Sequence, residues 1–160
     1  INHVAIRAKD LEWALAFTES HKYKVVSEGG PEDFYRLNMA ICLFAQSKWQ
    51  EALEIIPFGS TYSFYHLFAR RLELKIYYEL ESDLLPYKID AFKMYINRAS
   101  RKFLSDNLRE LHTNFGNALH QLSQSPKQDA ARSERMLKRI SGKKLIAERN
   151  WLLEKARELA

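Results

Sequence analysis

The sequence is short of the residues that punctuate a chain. Its 160 residues include five glycines and four prolines. Strand-rich domains need frequent turns, and turns draw on Gly and Pro, so the scarcity argues against a sandwich or barrel and for long helices. No stretch alternates apolar and polar residues as a half-buried strand would. Cysteine occurs once, at Cys42, which leaves no internal disulfide to form. That excludes the disulfide-stapled small domains and fits a reducing, cytoplasmic location. Cys42 sits inside an apolar helical pattern, where a thiol is expected to be buried and inert. No signal-peptide pattern is visible, and no apolar run approaches the roughly 18 residues that cross a bilayer, so no membrane partner is expected.

Catalytic signatures are missing as well. There is no His-Glu-x-x-His pair for zinc, no glycine loop ahead of a Lys-Ser/Thr to cradle phosphate, and no Gly-x-Ser-x-Gly elbow. Gly29-Gly30-Pro31 lacks a following Lys and reads as a turn. The five histidines are scattered; His112 and His120 would stand about 80° apart around a helix of 3.6 residues per turn. No catalytic residue, metal site or cofactor is therefore expected, and the chain is expected not to be an enzyme.

What the chain does have is helical periodicity. Asp10 is placed to cap a helix over Leu11 to Val25, with Leu11, Ala14, Leu15 and Thr18 on one face. Val4 and Ile6 read as the remnant of an earlier helix. Ser27 to Asp33 is the first clear break. From Phe34 to Ile56 two short helical patterns flank a polar break at Gln46-Ser47-Lys48. Leu37, Ala40, Ile41, Phe44 and Ala45 recur at helical spacing before it, and Trp49, Ala52, Leu53 and Ile56 after it. Ala40 and Ala52 are small enough to let two antiparallel helices approach closely. Such a hairpin cannot bury both apolar faces alone, so it must stack on neighbours.

Pro57 to Ser60 breaks the chain again. Thr61 or Ser63 then caps a long helix ending near Leu80, apolar on two faces: Tyr65, Phe68, Ala69, Leu72 and Ile76 on one, Leu67, Leu74 and Tyr78 on the other. A helix of that kind lies between neighbours. Ser82 or Asp83 caps the next, with Pro86 in its first turn and Leu85, Ile89, Phe92 and Ile96 facing inward. Ser105 or Asp106 starts an amphipathic helix through Leu108, Leu111, Phe115, Leu119 and Leu122. Two basic helices close the chain, about 128 to 140 and 144 to 159. Leu145, Leu152, Ala156 and Leu159 give the last one an apolar seam that expects a partner, its own chain or another copy.

Two segments echo one another. Leu11-Glu12-Trp13-Ala14-Leu15 and Trp49-Gln50-Glu51-Ala52-Leu53 share a large apolar first residue and a closing Ala-Leu, with Ala14 and Ala52 separated by 38 positions. That spacing is in the range of helical-hairpin arrays. Here the chain resembles the tetratricopeptide repeat family. The matching positions are Met39, Ala40 and Leu43 in one helix and Trp49, Ala52 and Ile56 in the next, within a stretch of residues 10 to 97. Ser47 stands where the family's turn glycine would be, and the next unit lacks the second-helix Ala. The resemblance implies an all-α, right-handed α-solenoid of stacked antiparallel hairpins over residues 1–125, followed by a basic helical segment, 126–160, packed on the array or on a partner. Arrays of this family hold extended protein segments along a groove lined by their first helices. Carried over by position, the groove candidates are Asn38 and Ile41, then His66, Arg70 and Glu73 if Ala69 plays the part of Ala40. Arg70-Arg71 interrupts an apolar helix; pairing with Glu73 or a neighbour's carboxylate is one account, a concave binding surface the other.

The formal charge of +5 is concentrated in one place. Residues 1–125 carry equal numbers of acidic and basic side chains, while 127–160 carry ten basic and five acidic. Lys127, Arg132, Arg135, Lys138, Arg139, Lys143, Lys144 and Arg149 are candidates to follow phosphates, which makes nucleic acid the second class of partner. Interspersed acids, a single aromatic (Trp151) and no recognition-helix motif favour instead a basic face that is solvated or meets an acidic partner. The first expectation is therefore a non-catalytic module that docks a protein, a peptide or another copy of itself.

Overall fold

Four helices begin where a short side chain turns back onto bare backbone N–H groups. The computed structural model describes residues 10–22, 24, 30–57, 63–125 and 128–160. These form eight helices and, among the described residues, no strand: α1 Leu11–Ser20, α2 Gly30–Ala45, α3 Trp49–Ile55, α4 Phe64–Glu79, α5 Leu85–Arg98, α6 Asp106–Ser123, α7 Ala130–Gly142 and α8 Arg149–Arg157. Asp10 accepts from Trp13 N at 3.1 Å, Ser63 from His66 N at 3.2 Å, Ser105 from Leu108 N at 3.4 Å and Asp129 from Arg132 N at 2.8 Å. Each such cap contributes roughly 1 kcal/mol.

Several boundaries differ from those read in the sequence. Helix α1 stops at Ser20, not near Val25. There the Ser20 hydroxyl donates to the Phe17 carbonyl, and the His21 backbone N–H and ring Nδ1 both lie within hydrogen-bond distance of it. Helix α2 starts at Gly30, ahead of Phe34. Pro31 is tolerated in a first turn, and Glu32 and Asp33 favour the positive helix N-terminus. The last helix starts at Arg149, not 144. Residues 143–148 instead form a strap tied to α6: Ala147 N donates to the Leu111 carbonyl at 3.2 Å, and Asn114 Nδ2 to that of Leu145 at 2.8 Å. Val4, Ile6, Ser27 to Gly29, Phe58 to Thr61 and Lys127 lie outside the described residues.

The chain divides into two compact units, residues 1–85 and 86–160. In the first, α1 packs on α2, α2 on α3 and α4, and α3 on α4. The core between α2, α3 and α4 is Leu37, Ala40, Ala52, Ile56, Ala69, Leu72 and Ile76, ringed by Ile41, Phe44, Trp49, Leu53 and Tyr65 among others. Ala40 and Ala52 are fully buried, as close approach of the two backbones requires. Ala14 of α1 meets Cys42 with Leu11 and Leu15 beside it. Burying each large aliphatic side chain here contributes roughly 1.5–3 kcal/mol.

In the second unit, Ile89, Phe92 and Ile96 of α5 are buried, and Phe92 meets Phe115 of α6 edge-on with centroids 6.1 Å apart. Helices α7 and α8 form a hairpin. Ser133 Oγ donates to the Ala156 carbonyl at 2.8 Å, and Asp129 N to that of Leu159 at 2.7 Å. Leu152, Ala156 and Leu159 are buried. The apolar seam of the last helix is thus covered within its own chain, and residues 126–160 join α5 and α6 in one unit.

Helix ends show what glycine scarcity costs. At the α2 end Lys48 N donates to the Leu43 carbonyl at 2.9 Å and Ser47 N to that of Phe44 at 3.0 Å, the paired bonds of a Schellman ending. At the α4 end Ser82 N reaches Tyr77 and Glu81 N reaches Tyr78 in the same way. The residue that must turn left-handed is Ser47 in one (φ 59°) and Glu81 in the other (φ 49°). Ser47→Gly is therefore expected to raise stability by about 0.5–1 kcal/mol in denaturant unfolding, whereas Ser47→Ala, which keeps the Cβ, gives no gain. Helix α6 offers the converse. A Cβ at Gly116 would lie 3.6 Å from Lys93 and 3.8 Å from Phe92, ordinary contact distances. Gly116→Ala should raise the melting temperature, by about 0.5–1 kcal/mol of stability, because it removes backbone freedom from a helix interior.

Candidate anion-binding surface

The ten basic residues of the last segment divide by what they touch. Arg149 faces inward. Its Nη1 donates to the Ile140 carbonyl at 2.8 Å and to Ser141 at 3.2 Å, and its Nη2 to the carbonyls of Lys143 and Lys144. One guanidinium thus closes the C-terminal end of α7. Arg132 Nε donates to Ser125 Oγ at 3.0 Å. Lys155 is buried and pairs with Glu158 at 2.9 Å, its ammonium 6.0 Å from the Trp151 ring centroid. Arg149 and Arg132, counted with the phosphate-facing cations by their position in sequence, are engaged inside the unit, and so is Lys155.

Arg157 is exposed on α8, and five more are exposed along α7 and the strap: Arg135, Lys138, Arg139, Lys143 and Lys144. Among the described residues no side-chain hydrogen bond or ion pair engages these five. Arg135, Lys138 and Arg139 stand at i, i+3 and i+4, hence on one face of α7. The opposite face buries Ser133, Met136 and Ile140. Lys143 and Lys144 continue the surface past the helix end. Glu134 is the acid on the exposed side of this stretch.

Beside this face lies a cleft of about 160 Å³. Asn114, Asn117, Ala118, His120 and Gln121 of α6 form one wall; Arg139, Ile140, Lys143 and Ile146 form the other. The lining holds two cations, three side-chain amides and an imidazole, and no carboxylate. Asn114 is held in place by its bond to the strap, with Glu110 Oε1 at 3.5 Å from the same nitrogen. Gln121 Oε1 is buried without a hydrogen-bond partner. Sequence reading passed over the amides because Asn114, Asn117 and Gln121 look like the solvated side of an amphipathic helix. The one signal was their spacing, which repeats every third or fourth residue.

The groove candidates sit elsewhere. Asn38 Nδ2 donates to the Phe34 carbonyl at 2.8 Å within α2. His66 is 5% exposed, with Nδ1 2.7 Å from Ser63 Oγ and its ring edge-on to Tyr65. Glu73 is 6% exposed and Arg70 half-buried. His66, Arg70 and Glu73 share one face of α4 by spacing, but that face is largely covered, not open. Arg71 is buried with its guanidinium 4.5 Å from the Phe68 centroid.

Burial pushes the Cys42 thiol up from its ordinary value, partly opposed by a Thr18 contact, as befits an inert core sulfur. Burial first, then the negative charge of Asp33, raises the Tyr65 hydroxyl far above its usual range. Among the described residues no group of three or more His, Cys, Asp or Glu is arranged to hold a metal, and no helix is long and apolar enough to cross a membrane. In comparisons with protein-family models, curated proteins and solved structures, nothing matches the chain.

The division between engaged and exposed cations can be checked by stability. Arg149→Lys keeps the charge but loses the planar donor set, and should cost about 1.5–3 kcal/mol in chemical denaturation. Lys144→Ala should change it by no more than about 0.5 kcal/mol.

Proposed function

We propose that the protein is a non-catalytic interaction module that docks an acidic segment of a partner protein on the exposed basic face of α7 and the strap behind it. The observation that carries the reading is the set of Arg135, Lys138, Arg139, Lys143 and Lys144 along α7 and its strap, exposed and, among the described residues, without a side-chain hydrogen bond or ion pair, while Arg132, Arg149 and Lys155 beside them are engaged within the unit. The reading keeps a tetratricopeptide-like, right-handed ladder of hairpins for the first unit; what supports the ladder is the successive packing of α1 on α2, α2 on α3 and α3 on α4. Any groove on that ladder that uses Asn38, His66, Arg70 and Glu73 is secondary, since His66 and Glu73 are buried.

Nucleic acid is the second reading, because the same five cations would neutralise phosphates. Among the described residues this face carries no exposed aromatic platform on which bases could stack, which favours the protein. The experiment is fluorescence anisotropy of the full chain with an acidic peptide and with an oligonucleotide of equal length and charge. Arg135→Glu/Lys138→Glu should weaken the peptide about tenfold or more, consistent with loss of two charge-assisted contacts, while Arg70→Ala leaves it unchanged. Unaltered peptide binding by the charge-reversed chain would remove the proposal. Tighter oligonucleotide binding that falls steeply between roughly 50 and 200 mM salt would transfer the site to nucleic acid.

A further inference from the structure

The cleft beside the basic face has a chemistry of its own. Arg139 presents a planar donor set and Lys143 a compact point charge, four residues apart at the end of α7 and converging on one hollow. Across from them Asn117 and Gln121 bring amides from α6. A helix C-terminus ordinarily repels anions, because its last carbonyls carry partial negative charge. Here the Arg149 guanidinium occupies the carbonyls of Ile140, Ser141, Lys143 and Lys144 and adds a positive charge behind them. The end of α7 is thereby made compatible with an anion.

We propose that this cleft seats one phosphomonoester dianion. A phosphoryl group carries about −1.5 to −2 charge and three acceptor oxygens. That matches two cations and two amides better than a carboxylate, with one charge and two oxygens. Arg139 takes two phosphate oxygens, Lys143 balances the charge, and the amides of Asn117 and Gln121 donate to the third. The site rests on the basic surface assigned above but is separable from it: an acidic segment needs Arg135 and Lys138, which lie outside the cleft lining.

The test is a titration of the full chain followed by proton–nitrogen NMR, with inorganic phosphate, phosphoserine, and an acidic peptide containing phosphoserine or serine; sodium chloride at matched ionic strength is the control. Phosphate should produce saturable shifts in the Asn117 and Gln121 side-chain amides that chloride does not. Arg139→Gln/Lys143→Gln should weaken it about tenfold or more, whereas Arg135→Gln/Lys138→Gln, which removes the same charge, should cost little. Asn117→Ala, at an exposed position, is the second variant should the first perturb the fold. A phosphopeptide that binds more tightly than its serine form and than phosphoserine identifies a modified partner as the source. Equal affinity for phosphate, phosphoserine and phosphopeptide identifies a free phosphomonoester. No saturable shift, or equal loss in both double variants, overturns the site even if the acidic peptide still binds.

Discussion

Every helix ends with carbonyls that have lost their partners, and this chain must satisfy them with five glycines at its disposal. Two solutions recur. Where the turn is tight, Ser47 and Glu81 take the left-handed conformation that glycine usually occupies. Where it is wider, an arginine from another element reaches in. Arg36 Nε donates to the Ile55 carbonyl at the end of α3, Arg109 to Ile96, Asn97 and Ala99 at the end of α5, and Arg149 to the end of α7. A guanidinium suits the task because it offers five donors in a fixed plane and its charge opposes the negative helix end. Each of these arginines therefore also fixes where one helix lies against another.

This constraint sorts the charges. A tail with ten cations invites the reading that all of them face a polyanion. Once Arg149 is needed at the α7 end, Arg132 at Ser125 and Lys155 at Glu158, the exposed remainder is smaller, and apart from Arg157 it follows one face of α7 and the strap after it. Basic content in a sequence is thus a poor measure of basic surface. The same arginine that completes α7 also removes the local negative potential that would empty the neighbouring cleft of anions.

Much of the fold could be read beforehand because it depends on local chemistry. The cap Asp10, and Ser63 and Ser105 as one of the two residues offered at each start, follow from short oxygen-bearing side chains ahead of periodic runs; most of the buried faces of α2 to α6 follow from helical spacing, although Phe68, on an inner stripe by pattern, is exposed. The misreadings were long-range. Leu145 belongs by pattern to the seam of the last helix, yet its carbonyl accepts from Asn114 far back in the chain, and the strap forms in place of a helix turn. His66 and Glu73 come to the groove only by position, through the family resemblance and the equation of Ala69 with Ala40, and the structure buries both. Their burial depends on what packs against α4, which spacing within the helix does not encode. The cleft was invisible for a related reason: Asn114 and Gln121 on one helix carry meaning only beside Arg139 and Lys143 on another.

The exposed cations of α7 work against the helix that carries them. Arg135 and Arg139, four residues apart, repel, and Lys143 extends the line; like charges at that spacing each oppose a helix by about 0.2–0.5 kcal/mol. Glu134 with Lys138 relieves only one position. A surface selected for stability alone would balance acids against bases here, as residues 1–125 do overall. The helix tolerates the repulsion because Met136 and Ile140 are buried, Ser133 is tied to the Ala156 carbonyl, Asp129 caps one end and Arg149 closes the other. Burial on one face and bonds at both ends outweigh a repulsion of that size, so the helix can hold its cations close together without losing its place in the fold.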